Sequence, residues 1–262
     1  MFERLVVQFN DSERFVDVFL LSLFFTVVSV LLVQHVVAFR IGGSNLAGVI
    51  AVLLTSLAAS YPFVSYLLEE EKMAVSRDWA ETTLLKRHAH QLELYLSFFL
   101  GSTIGFAVST FFVGQQFYAV QLQVLETVRS PTGMFFGGAL FHEIVANNLW
   151  VFSVTFLLTF FIASGVLFVL AWNASVLGVL IGTLASSAFE VPVLTVYYLP
   201  HGLLEVGGYV LAGIAGALLS YRVESGLMGE EEASGRAVTW DTILLVAIGA
   251  GMIIAAAAIE VA

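Results

Sequence analysis

Eight polar residues stand where polar side chains are costly: His142, Glu143, Asn147, Asn148, Asn173, Glu190, His201 and Glu205. Glu143 and Asn147 are four apart, as are His201 and Glu205, and that spacing places two side chains on one helix face. Imidazole and carboxylate donors gathered at one place are the inventory of a divalent metal site. They serve a hydrolase equally well, with Glu activating water and His or Asn holding an oxyanion. Lining a solute path is a third use. None of these signals is complete: Ala146 stands where an HExxH zinc motif needs its second His, and no GxSxG elbow or phosphate-binding Gly loop is present. The competing reading is structural. Pro200 would start a helix whose positive end suits Glu205, and the Asn residues would bond between helices.

The elements that must hold these residues are membrane spans. Of the 262 residues, 59% are hydrophobic and 11% charged, against roughly 45–50% and about 25% in a soluble domain. Polar groups are too few to cover such a chain in water. The absence of Cys excludes disulfides and thiolate chemistry. A net charge of −10 argues against nucleic-acid binding, which needs a concentrated basic face. No cofactor is expected, a divalent metal at the His/Glu cluster being the one alternative.

A bilayer span needs about 20 apolar residues. Candidate spans run over 15–39, 46–68 (with Pro62 inside), 94–113, 149–170, 174–188, 200–221 and 239–259. The expected fold is an all-α, polytopic transmembrane bundle of about seven spans, bounded by six and eight, forming a single domain over 1–262. With the N-terminus inside, eight of the ten Lys and Arg fall on the cytoplasmic side and only Arg40 and Arg129 outside, so the positive-inside rule gives a multi-pass cell-membrane protein with its C-terminus outside. The first apolar run reads as a retained helix rather than a signal peptide. His142, Glu143, Asn147, Asn148, Glu190, His201 and Glu205 would then lie near the outer surface, where two His and up to three Glu could approach one another.

Two further segments have their own character. Residues 69–93 mix charges of both signs and read as a cytoplasmic helix entering the third span, with Asp78 and Glu81 shaped like a capping box. In that helix His88 and His90 read as surface residues. Residues 115–146 read as an outer interfacial or re-entrant segment, with Ser130-Pro131 as N-cap and first helical position and Phe135, Phe136, Leu140 and Phe141 against the membrane. Gly101/Gly105, Gly178/Gly182 and Gly208/Ala212/Gly216 are spaced for close helix contact, in a compact bundle or at a dimer face.

Asn147-Asn148 opening a span, Asn173 with Gly178 in the next, and Leu199-Pro200-His201-Gly202 with Glu205 before a small-residue helix resemble the stage II sporulation protein M family. Glu69-Glu70-Glu71-Lys72 and Leu84-Leu85-Lys86-Arg87-His88 resemble its archaeal branch. The likeness covers roughly 68–222. It implies an integral membrane protein; in spore-forming bacteria the family acts as an anchor or scaffold for envelope-remodelling partners during engulfment. A poorer likeness, to glutamate-type intramembrane proteases, lacks that family's Arg spacing after Glu69-Glu70. The expectation is therefore a scaffold or partner-binding protein in the lipid bilayer, with a homodimer or another membrane protein as partner. An intramembrane hydrolase and a small-solute transporter are the alternatives.

Overall fold

In a bilayer core, backbone polar groups find no water, so an apolar chain without strand-like alternation satisfies them within helices. The computed structural model describes residues 14–37, 46–76, 83–129, 137–227 and 235–261. Among them eight α-helices follow in order: α1 (Arg14–Leu32, continued by a π-turn, Val33–Val37), α2 (Ala47–Ser76), α3 (Leu84–Ser109), α4 (Ala119–Arg129), α5 (Gly137–Phe161), α6 (Gly165–Leu184), α7 (Val191–Leu227) and α8 (Gly235–Val261). Among the described residues six stretches are long and apolar enough to cross a membrane: 15–36, 86–109, 141–161, 165–184, 202–224 and 238–261. A shorter apolar stretch, 47–63, lies in α2.

Ser and Thr inside the spans bond their own helices. Ser22, Thr26, Thr55, Thr103, Thr155, Thr159, Thr195 and Thr242 each donate a hydroxyl to the carbonyl four residues back. This removes the cost of an unpaired hydroxyl in an apolar surround.

The chain divides into two compact units, one of residues 1–61, 97–135 and 167–200, the other of 62–96, 136–166 and 201–262. In the first unit, glycines set the helix pairing. A methyl on Gly101 would collide with the Phe19 carbonyl, and one on Gly105 would lie 2.8 Å from Thr26 Cβ. A methyl on Gly178 would lie 2.5 Å from the Thr103 carbonyl, and one on Gly182 2.6 Å from that of Ala107. Residue numbers rise together in both pairs, so α1, α3 and α6 run parallel. A chain that leaves α1 and enters a parallel α3 must first return across the membrane. At about 1.5 Å per residue the 30 residues of α2 are long enough to do so. With α2 the six stretches become seven crossings among the described residues.

The short 3-10 turn Gln115–Tyr118 and α4 also belong to this unit. The Tyr118 ring meets Phe106 edge-on, its hydroxyl pairs with Ser109, and burial pushes its phenol above the usual range. Gln121 is fully buried, with its amide beside Gly48 and 3.4 Å from Ser175 Oγ.

In the second unit α5 and α7 run parallel, since Asn148 meets Glu205 while Gly216 lies against Phe156 and Phe160. α8 runs back along α7, with Gly207 against Met252 and Gly249 against Leu211. Phe152, Tyr209, Ala212 and Ile253 form the apolar centre of these three helices.

The sequence reading misplaces one turn. It runs a span over 149–170 and starts the next at 174, whereas α5 ends at Phe161 and α6 begins at Gly165. Hydropathy is continuous across Ile162-Ala163-Ser164, so only the small Ala-Ser-Gly step marks the break. Of the charged segment, residues 69–76 continue α2 and 84–93 open α3. Asp78 and Glu81, and Ser130-Pro131 with Phe135 and Phe136, lie outside the described residues.

Candidate functional site

Asn148 sits on the buried face of α5, 7% exposed. Its amide nitrogen donates to Glu205 Oε1 at 2.5 Å. Its carbonyl oxygen accepts from the Tyr209 hydroxyl at 3.0 Å and from the Asn147 amide at 3.3 Å. Glu205 and Tyr209 are one turn apart on α7, and so offer an acceptor and a donor to a single amide on the neighbouring helix. One turn further on, Phe152 packs against Tyr209 and Ala212. A polar tie thus lies directly on an apolar layer. Such a tie between membrane helices is worth on the order of 1 kcal/mol.

The other sequence candidates lie apart from this tie or do different work. Asn173, in the first unit, donates to the Val169 carbonyl of its own helix at 2.8 Å. Glu190, also in the first unit, accepts the Ser186 N–H at 2.9 Å and so holds the turn before α7. His142 and Glu143 are exposed near the start of α5, the imidazole edge-on to Phe141. His201 falls within α7, and its side chain lies outside the described residues. Among the described residues no three His, Asp or Glu side chains converge as metal ligands would.

A second polar cluster in the same unit was not expected. Arg87 Nε donates to Asp241 Oδ2 at 2.8 Å and Arg87 Nη2 to Asp241 Oδ1 at 2.5 Å, a two-pronged ion pair. His88 Nε2 lies 3.1 Å from the same Oδ2, and His88 Nδ1 lies 2.9 Å from Gln91 Oε1. All four residues are buried, from 8% exposed for Arg87 to 1% for His88 and Asp241. The sequence reading of His88 as a surface residue is therefore wrong, while His90 is partly exposed beside Glu93. The cluster joins the N-terminal ends of α3 and α8. The missed signal was Asp241, an acid at the head of an apolar helix, since a carboxylate there calls for a buried counter-charge. Tyr209, too, was legible as the residue one turn beyond Glu205.

Comparison with known proteins places these helices in a family. The model of stage II sporulation protein M matches residues 18–262. An uncharacterized protein of the archaeon Methanocaldococcus jannaschii is 32% identical over 98 residues, covering 35% of this chain and 52% of that protein. The chain thus spans about half the length of the curated relative it matches. No solved structure matches. The family match over nearly the whole chain, the helices that bring Asn148 and Glu205 together, and the archaeal relative lead to one assignment: the chain belongs to the stage II sporulation protein M family, as an archaeal-type, multi-pass integral membrane protein.

Proposed function

We propose that this protein is a scaffold or partner-binding component of a membrane-remodelling or envelope complex, and that its Asn/Glu/Tyr tie organises helices rather than performing chemistry. One observation carries the reading. Asn148 spends both ends of its amide on neighbours, Glu205 on one side and Tyr209 with Asn147 on the other. A group so engaged orients two helices and is poorly placed to turn over a substrate. Membership of the family supports the same role. The test is turnover by the purified protein against ester, peptide and phosphoester panels. No activity dependent on Glu205 is expected, and hydrolysis abolished by Glu205→Gln would replace this reading with that of an intramembrane hydrolase.

The N-terminus lies in the cytoplasm and the C-terminus outside. The excess of Lys and Arg on that side and an odd number of crossings support this orientation. A phosphatase reporter fused after Ala262 is expected to be active, because that enzyme folds only outside the cytoplasm. An inactive C-terminal fusion beside an active N-terminal one would invert the topology.

A further inference from the structure

The exposed side of α5 is unlike the exposed side of a helix that faces lipid. On α1 the outward residues include Leu20, Phe24, Leu31 and Leu32, which suit hydrocarbon. On α5 they include Glu143, Ala146, Trp150, Ser153 and Leu157, at alternating steps of three and four, with His142, Asn147 and Phe161 also exposed. Only 22% of this span is buried within the chain, against 33% for the spans of α1 and α8 and 67–72% for those of α3, α6 and α7.

Depth sharpens the contrast. A turn of three residues separates α5 from α6, which places Phe161 at one edge of the hydrocarbon. At 1.5 Å per residue, Trp150 then lies about 16 Å deep and Asn147 about 21 Å deep in a core roughly 30 Å thick. Trp150 is 70% exposed at mid-membrane, far from the interface where indoles settle. Asn147 is exposed in hydrocarbon as well, with an amide hydrogen and a carbonyl oxygen to offer.

We infer that this face of α5 docks against the same face of a second copy of the chain, as a parallel pair about a twofold axis normal to the membrane. Complementarity favours this occupant. A twofold interface sets each residue against its own mate or exchanges neighbours reciprocally. The Asn147 amide is both donor and acceptor, so it bonds its mate. His142 and Glu143 are adjacent, so each imidazole can donate to the partner's carboxylate. Ala146 and Ser153 flank Trp150 at a step of three and four, leaving room for the opposing indole to enter as a knob into a hole. The steps of three and four are those of a left-handed helix pair, the commonest crossing in membranes. This proposal goes beyond the scaffold reading. Asn147 also donates to Asn148, but Glu143, Ala146, Trp150 and Ser153 take no part in the Asn148–Glu205 tie and the cysteine test reads those positions, so the two can fail separately.

The chain has no cysteine, so single cysteines report without background. Ala146→Cys and Ser153→Cys, on α5, are oxidised in native membranes beside Phe24→Cys, on α1. Each variant is first matched to the unaltered chain by gel filtration in detergent, and native mass spectrometry of that unaltered chain gives an independent readout. Conversion of most of both α5 variants to a disulfide-linked pair, with Phe24→Cys remaining monomeric, is expected, as is a mass of twice 28.4 kDa. Monomer in both measurements, equal linkage through Phe24→Cys, or linkage of the α5 cysteines to a chain of another mass would overturn the proposal.

Discussion

At the scale of single residues, the second unit is held by two polar ties of different kinds. The tie on Asn148 is built of hydrogen bonds among two amides, a phenol and one carboxylate, worth on the order of 1 kcal/mol. The tie on Asp241 is an ion pair, 8% exposed at most. Removing one partner strands a buried charge, which costs about 3–5 kcal/mol, whereas replacing both with apolar groups of similar volume is often neutral. Arg87→Met alone is therefore expected to lower the unfolding temperature in detergent sharply, and adding Asp241→Leu to restore most of the loss. A single substitution as mild as exposed Lys86→Met would contradict this. The Asn148 tie was half legible in the sequence, because Asn148 and Glu205 are conspicuous in apolar runs. The Asp241 tie was not, because Arg87 and His88 stand beside Lys86 and His90 in a charged stretch. Which face of that stretch turns inward depends on a helix more than 150 residues away.

At the scale of elements, small residues decide which helices approach. Gly178 rests on the backbone of α3, and even one methyl would push against the Thr103 carbonyl and Phe106 Cβ. Overpacking of this kind costs about 1–3 kcal/mol. Gly202, in α7, has nothing within 4 Å of an added Cβ, and in an open helical position Ala is favoured over Gly by up to about 1 kcal/mol. Gly178→Ala is expected to lower the unfolding temperature and Gly202→Ala to hold or raise it. Equal shifts of one sign would show that the small residues do not set the pairing. These glycines were visible in the sequence, though not the partner each one meets. The turn at Ile162–Ser164 was hidden because hydropathy registers burial in lipid and not chain direction.

At the scale of the whole molecule, composition was enough to establish a polytopic helical membrane protein, and the order of Asn147-Asn148, Asn173 and Pro200-His201-Gly202 with Glu205 pointed to the family that the comparison gives. The sequence did not reveal which of its polar residues meet. Asn173 and Glu190 lie at helical positions no less suggestive than Asn148, yet each bonds within its own segment. The central claim is that Glu205 ties α7 to α5 through Asn148, and a stability cycle on the purified protein tests it most directly. Glu205→Leu and Asn148→Leu are expected to destabilise singly and to combine less than additively, with a coupling on the order of 1 kcal/mol. Glu205→Gln, which keeps the acceptor oxygen, is expected to stay close to the unaltered chain. Strict additivity of the two Leu substitutions would contradict the account.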